Sequence, residues 1–82
     1  MILHKWNYEN HTYDEIEKPD GLNFKTYSDD MNEIINCPHC LKELKYGDSY
    51  TSHEYQTLGT GFGYGVCEQC YEDEIKRRKT WE

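Results

Sequence analysis

The sequence predicts a small α+β domain, with a β-rich N-terminal extension (residues 1–36) packed on a cysteine-containing core (residues 37–82). Two cysteine pairs lie in the second half, and each pair has two residues between its members. Short stretches before and between the pairs alternate in polarity, which is the periodicity of strands. Charges after the last cysteine follow helical spacing. With 82 residues, the chain is long enough for one domain.

The apolar content is too low for a large core. Hydrophobic residues make up 35% of the chain, and alanine is absent. A domain of this size buries only about 60% of the surface that its unfolded chain exposes. The sequence therefore predicts that a metal, a disulfide or a partner stabilises the fold. The aliphatic core candidates are Ile2, Leu3, Ile16, Leu22, Ile34, Ile35, Leu41, Leu44, Leu58, Val66 and Ile75.

The N-terminal extension is expected to begin with two strands. Trp6 and Tyr8 alternate with Lys5 and Asn7, and a second strand is predicted near Thr12–Glu17. Core packing is the favoured interpretation for the aromatic residues Trp6, Tyr8, Tyr13 and Tyr27.

A turn and two further elements are predicted before the first cysteine. Pro19 and Gly21 favour a turn, because proline presets φ and glycine accepts a positive φ. A strand is expected over Leu22–Tyr27, and Ser28 is expected to cap one short helical turn.

Between the cysteine pairs, the pattern predicts a β-hairpin. One strand is expected over Tyr50–Tyr55 and the other over Gly61–Val66. Glycine occupies every second position of the latter, which leaves one face of the strand bare for the close approach of another group. The glycines also resemble a phosphate-binding loop superficially, but such a loop should follow a strand and open a helix. The structural interpretation is therefore preferred over nucleotide binding.

The chain after Cys67 is predicted to be helical. Tyr71 and Ile75 are i,i+4 neighbours. Acids precede bases along the segment, as the helix dipole prefers. Three i,i+4 pairs are expected on a solvated surface: Glu72–Lys76, Asp73–Arg77 and Glu74–Arg78.

The two cysteine pairs predict one structural zinc site, with Cys37, Cys40, Cys67 and Cys70 as its ligands. A tight turn aims both sulfurs of a Cys-x-x-Cys pair at one ion, and two such turns supply four tetrahedral thiolates. The pairs are separated by 26 residues, which is longer than the common zinc spacing. The additional loop costs only ~0.3 kcal/mol of closure free energy, so it is compatible with a long hairpin.

The treble-clef arrangement consists of a first Cys-x-x-Cys turn (a knuckle), a β-hairpin, and a second knuckle at the start of a helix. With Cys37-Pro38-His39-Cys40 and the segment Val66–Arg78, residues 37–79 resemble small bacterial four-cysteine treble clefs. Examples are the zinc-binding domain of the Clp unfoldase and the anti-sigma factor Gin. The resemblance implies a protein-binding surface, often in a homodimer. Leu41 departs from it, because many knuckles have glycine there. Residues 1–36 have no counterpart in these families, and the small acidic chain also resembles phage proteins.

Other interpretations of the cysteines and histidines remain open. A rubredoxin-like iron site for electron transfer is the chemical alternative to zinc, and free thiols or a redox pair are further alternatives. His39 is expected to be exposed, and none of the histidines is assigned a catalytic role. Trp81 either packs beneath the helix or serves as an exposed anchor.

The formal charge of −7 disfavours nucleic acid as the main partner. Residues 1–36 carry most of the excess, with three lysines against eight acids. No apolar run is long enough to span a membrane, and no signal peptide is recognised, so a cytoplasmic location with reduced thiols is expected.

The leading hypothesis is a non-catalytic, zinc-stabilised protein-binding or regulatory module. A phage or bacterial inhibitor of a nucleic-acid-handling protein would fit the charge. The alternative is a nucleic-acid-binding finger that uses the basic run Lys76–Lys79. An enzyme is not expected, because no paired carboxylates, nucleophile–base pair or open metal position can be argued.

Overall fold

The structure, a computed structural model, describes residues 1–81 without the side chain of Trp81. It is a small α+β fold, as predicted from the sequence. The strands are β1 (Ile2–Asn7), β2 (Thr12–Glu17), β3 (Ile34–Asn36), β4 (Glu43–Lys45), β5 (Tyr50–Gln56) and β6 (Gly63–Val66), and the helix is α1 (Glu68–Trp81). The predictions for Thr12–Glu17, the hairpin between the cysteine pairs and the C-terminal helix are confirmed. The short strands β3 and β4 were not predicted.

One antiparallel sheet unites both halves of the chain. Its strand order is β2-β1-β5-β6, and β3 with β4 forms a separate two-stranded sheet. β1 joins the cysteine-containing half at Lys5, which lies opposite Tyr55 of β5. The N-terminal extension therefore contributes strands to the sheet that leads into the helix.

The segment between β2 and β3 differs from the prediction. Leu22–Tyr27 is not a strand, because its backbone bonds to other parts of the chain: Asn23 accepts from the Asn36 amide at 2.8 Å. Ser28 does not cap a helical turn. Its hydroxyl accepts from the Asp30 amide and donates to the Glu33 carboxylate, which closes a local turn instead.

The core consists of two small clusters. One contains Leu3, Phe24 and Tyr55, and the other contains Cys37, Val66 and Cys67. Three of the aliphatic core candidates, Ile2, Ile34 and Leu58, are exposed. The prediction for Tyr27 was wrong, since this residue is 72% exposed. Trp6, Tyr8 and Tyr13 are half-buried. Cysteine thus supplies part of the core that the aliphatic residues cannot fill.

Glycine allows β5 and β6 to approach closely. A Cβ atom on Gly63 would collide with the backbone carbonyl of Ser52, and one on Gly65 would crowd the side chains of Ser49 and Ile35. The predicted close approach at the bare face is therefore confirmed.

Helix α1 begins directly after Cys67. Glu68 lies in its first turn, and Arg78 and Lys79 lie in its last turn, which is the favourable order for the helix dipole. Among residues 1–81, no helix combines the length and the apolar character that crossing a membrane requires.

Candidate metal centre

The first cysteine pair lies in the connection between β3 and β4. The Leu41 amide donates to the Cys37 carbonyl at 2.8 Å, and the Cys37 amide donates to the Lys42 carbonyl at 2.9 Å. Leu41 has a φ of 66°, in the left-handed region that glycine adopts most easily. The backbone therefore takes the form that glycine would favour at this position, although the residue is leucine.

The second pair lies at the junction of β6 and α1. Cys67 follows β6, and Cys70 lies in the first turn of the helix. The Tyr71 amide donates to the Cys67 carbonyl at 2.9 Å, which closes that turn. Each of the two backbone turns thus positions the two sulfurs of one cysteine pair, as the spacing of two residues within each pair predicted.

The structure brings all four cysteines together. Their sulfurs lie within 4.8 Å of one another, and Cys40 Sγ is 3.7 Å from Cys67 Sγ. Four ligands at a metal–sulfur distance of about 2.3 Å in a tetrahedron are separated by ~3.8 Å. No disulfide links the cysteines. The distance therefore fits two thiolates on one ion, and it is much too long for a covalent bond.

Burial and contacts among the cysteine thiols change their pKa values. Burial raises the pKa of Cys37, and burial together with the neighbouring thiol of Cys67 raises the pKa of Cys70. Burial also acts to raise the pKa of Cys67, but hydrogen bonds from the Cys70 amide and neighbouring thiols outweigh it and lower that pKa. The group cannot hold four thiolates without a compensating cation. A divalent ion that prefers sulfur would supply that charge, and zinc fits this donor set.

His39, within the first pair, is not the exposed residue that was expected. Its side chain is 13% exposed, and its Nε2 atom lies 2.5 Å from Oε1 of Glu74 in α1. Glu74 is fully buried, and it also accepts from the Ser52 hydroxyl at 2.5 Å and the His53 amide at 2.9 Å. Burial acts to raise the pKa of Glu74, but the hydrogen bonds from His39, Ser52 and His53 outweigh it and lower the pKa.

A second buried carboxylate lies beside the first. Glu54 of β5 is 1% exposed and is bound by two nitrogens of Arg77, at 2.8 and 3.0 Å. The expected solvated surface pairs of Asp73 with Arg77 and of Glu74 with Arg78 are therefore wrong. Arg77 reaches across to the sheet, and Glu74 points inward, because both lie on the side of the helix that faces β5.

The donor atoms of His39, Glu54 and Glu74 also lie within 4.8 Å of one another. Arg77 already binds both carboxylate oxygens of Glu54, and Glu74 accepts from three groups. These contacts explain the cluster as a polar network between sheet and helix, without a second metal ion. The sequence signal was the helix period: Glu74 and Arg77 follow Cys70 by four and seven residues and share its face.

An aromatic cleft of about 300 Å³ lies on the sheet. It is lined by Trp6, Tyr8, Tyr13, His53, Gln56 and Arg78. The Tyr13 hydroxyl donates to Gln56, and the Trp6 and Tyr13 rings meet edge to face at 5.1 Å. The Tyr8 hydroxyl oxygen is enclosed and has no hydrogen-bond partner among residues 1–81. Burial and the nearby Glu54 carboxylate raise the pKa of Tyr8 to about 12.

Two further histidines lie beside aromatic rings. His53 lies beside the Tyr71 ring, and His11 beside the Trp6 ring. The choice between core and anchor for Trp81 concerns a side chain outside the described part of the structure. In comparisons with protein-family models, curated proteins and solved structures, the chain matches none.

Proposed function

We propose that the chain is a non-catalytic, zinc-stabilised protein-binding module with a treble-clef arrangement. The observation that carries the proposal is the cluster of four cysteine sulfurs at the junction of β3, β6 and α1. Four thiolates complete the coordination of zinc and leave no position for a reactive water, which is the pattern of structural sites. The element order supports the treble clef, since the β5–β6 hairpin separates the two pairs and the second pair opens α1.

The charge distribution supports a basic protein as the partner. Acidic side chains are concentrated in residues 1–36, and several of them are exposed: Glu9, Asp14, Glu15, Glu17, Asp20, Asp29 and Asp30. An acidic surface attracts basic surfaces, which proteins that handle nucleic acids present to phosphate. Regulation of such a protein by covering its basic surface is therefore the role that we propose for the module.

The nucleic-acid-binding alternative loses part of its basis. Arg77, in the middle of the basic run, is held by the buried carboxylate of Glu54. Its guanidinium is thus paired with a carboxylate, although the side chain is 44% exposed, and it contributes less to a phosphate contact. The remaining cations of the run lie on a chain with a net charge of −7.

Native mass spectrometry of the purified protein, with and without a chelator, tests the metal part of the proposal. We expect one zinc ion per chain and loss of the compact charge states after chelation. The variant Cys40→Ser removes one candidate ligand and should bind zinc more weakly. The control variant Ser49→Ala leaves all four sulfurs in place and should retain zinc. Iron with a visible absorption band would instead support the rubredoxin-like alternative, and a chain without metal would contradict the proposal.

A separate experiment tests the partner class. The zinc-loaded chain is immobilised and exposed to nuclease-treated lysate, and each captured protein is purified and titrated against the chain. We expect saturable binding of a basic protein and no binding of short DNA or RNA duplexes in fluorescence anisotropy. Tight, steeply salt-dependent binding of the oligonucleotides would favour the nucleic-acid-binding alternative.

A further inference from the structure

The outer edge of β2 has free backbone hydrogen-bonding groups in the described part of the chain. β2 pairs with β1 alone, at one end of the strand order. The edge at the other end is partly covered, because the Gly65 amide of β6 donates to the Lys25 carbonyl at 2.9 Å. An uncovered edge strand is a template for pairing with another extended segment.

The register shows which residues of β2 face outward. Met1 and Lys18 exchange both of their hydrogen bonds, since the Lys18 amide donates to Met1 at 2.7 Å and the Met1 amine donates to the Lys18 carbonyl at 3.1 Å. The pairing continues without a shift to Asn7 opposite Thr12. Hydrogen-bonded pairs alternate along an antiparallel ladder. The amides and carbonyls that point away from β1 are therefore those of Tyr13, Glu15 and Glu17.

The same three residues share one face of the strand. Glu15 lies opposite His4 of β1, and Glu17 lies opposite Ile2. The Glu17 carboxylate already accepts from the Met1 amine at 3.1 Å, whereas no lysine or arginine lies opposite Glu15 across the strand pair. Tyr13 lies at the end of this row, with its ring against Trp6 and its hydroxyl donating to Gln56 of β5, so the ring is directed toward the inside of the sheet. The row therefore offers the exposed Glu15 carboxylate to side chains of a neighbouring strand.

We propose that β2 binds an extended basic segment of a protein partner, which adds as a fifth strand to the sheet. The inference rests on the proposed protein-binding function and specifies the surface that performs it. A lysine or arginine opposite Glu15 would lie directly across from its carboxylate, within reach of a charge pair. Backbone pairing supplies the binding mode, and the Glu15 carboxylate selects a basic residue at this position.

A second copy of the chain is a less suitable occupant. An antiparallel pair of β2 strands centred on Glu15 would place this carboxylate opposite its own copy. Like charges directly opposite each other destabilise a strand pair. The acidic residues thus discourage self-association while they favour a basic strand.

The test uses the full zinc-loaded chain and an eight-residue peptide that alternates lysine with valine or threonine. We expect saturable binding by calorimetry. In NMR spectra, the amides of Tyr13, Glu15 and Glu17 should shift and exchange more slowly with solvent. A peptide with the same side chains but with alternate backbone nitrogens methylated keeps the charge and cannot pair, so it should bind at least tenfold more weakly. A peptide with glutamate in place of lysine should not bind.

Two variants of the protein complete the design. Glu15→Pro removes an outward-facing amide, a position at which an edge strand tolerates proline, and should weaken binding at least tenfold. Glu15→Gln keeps the amide and should weaken binding only a few-fold. Retention of zinc and of the β5 and α1 amide shifts shows that each variant is folded, and the methylated peptide tests the pairing even if Glu15→Pro does not fold.

The inference is overturned if the lysine peptide does not bind, if the methylated peptide binds equally well, or if the shifts map to α1 or to His53 and Gln56 of the aromatic cleft and not to Glu15 and Glu17. Dimerisation through β2 in sedimentation would also overturn it, in favour of a second copy. A captured protein that binds Glu15→Pro as tightly as the original chain would contradict the edge while supporting the proposed function. If neither the lysine peptide nor any captured basic protein binds, the chain is not a protein-binding module of this kind.

Discussion

The Nε2 atom of His39 lies 2.5 Å from Oε1 of Glu74, in the buried space between β5 and α1. His39 belongs to the first cysteine pair, and Glu74 lies one helical turn beyond Cys70 of the second pair. The two halves of the candidate metal site are therefore joined by a hydrogen bond as well as by their shared sulfur cluster. We expect metal binding and the packing of α1 on the sheet to be coupled through this contact.

Substitution of Glu74 by glutamine should destabilise the zinc-loaded protein by about 2 kcal/mol, because hydrogen bonds to a charged group are worth roughly 1.5–3 kcal/mol. The amide keeps the size of the side chain but not the charge that His39, Ser52 and the His53 amide contact. Urea denaturation measures the change. The control is Glu72→Gln at an exposed position of the same helix, where a change below about 0.5 kcal/mol is expected. Equal effects of the two substitutions would contradict a stabilising role for the buried carboxylate.

Substitution of Arg77 by methionine should leave Glu54 as a buried carboxylate without its guanidinium partner. Breaking a buried pair in this way costs about 3–5 kcal/mol, and we expect the lower end because Arg77 is partly exposed. The double variant Glu54→Gln/Arg77→Met removes both charges and should recover at least half of the loss. Thermal and urea unfolding of the two single variants and the double variant give the coupling free energy. Simple additivity of the single effects would show that the pair does not act as a unit.

The sequence predicted the elements whose signals are local. The strand over Thr12–Glu17 was predicted as the return of the alternating stretch around Trp6, and the residues after Cys67 follow the helical period; both elements were correct. Spacing also brought the four cysteines together correctly. The errors occurred where tertiary contacts decide the outcome. Asn23 and Ser28 bond to the β3 region, and Tyr27 remains exposed although core residues are scarce.

The polar network was missed for a related physical reason. Acids and bases at i,i+4 spacing on a helix are usually solvated pairs, and this pattern fitted Asp73–Arg77 and Glu74–Arg78 equally well. Only the position of β5 against α1 shows that Glu54 and His39 are the partners of this helix face. Which charges become buried depends on contacts between residues that are distant in sequence, so the helix period indicates the shared face but not its partners on β5.

Removal of the metal should unfold the part of the protein that the cysteines hold. Structural zinc in small peptides contributes an apparent ~10–16 kcal/mol at neutral pH, which exceeds the total stability of most small domains. Without it, the thiols of Cys37 and Cys70, whose pKa values burial raises, lose the ion that would join the two cysteine pairs. We expect a chelator to collapse the amide dispersion of β5, β6 and α1 in NMR spectra, and added zinc to restore it. Unchanged dispersion after verified metal loss would contradict this prediction.

Gly63→Ala should destabilise the protein by about 3 kcal/mol or more, because the new Cβ would overlap the backbone carbonyl of Ser52. Overpacking typically costs about 1–3 kcal/mol where side chains can move aside, and a backbone carbonyl moves less easily. Gly59 is the matched control. It has a φ of 86° but open space around it, so Gly59→Ala should cost only about 1–2 kcal/mol of backbone strain. Chemical denaturation of both variants compares a steric effect with a conformational one. A smaller loss for Gly63→Ala than for Gly59→Ala would show that β5 and β6 are not closely packed.

Alkaline pH should destabilise the protein through two tyrosines of the sheet region. Burial, with Glu54 nearby, raises the pKa of both Tyr8 and Tyr55 to about 12, whereas tyrosine in an unfolded chain has a pKa of about 10. A raised pKa in the folded state means that the stabilisation is complete below pH 10 and is lost as the pH rises toward 12.

Urea denaturation at pH 8, 10 and 11 measures this loss, and absorbance at 295 nm follows phenol ionisation. Tyr8→Phe should make stability less sensitive to pH above 10, because it removes a phenol whose pKa burial raises. Tyr27→Phe, which removes a hydroxyl at an exposed position, is the control for the substitution itself. An identical alkaline stability profile for Tyr8→Phe and the original chain would contradict the burial of this phenol, since the ionisation of a solvated group does not oppose folding.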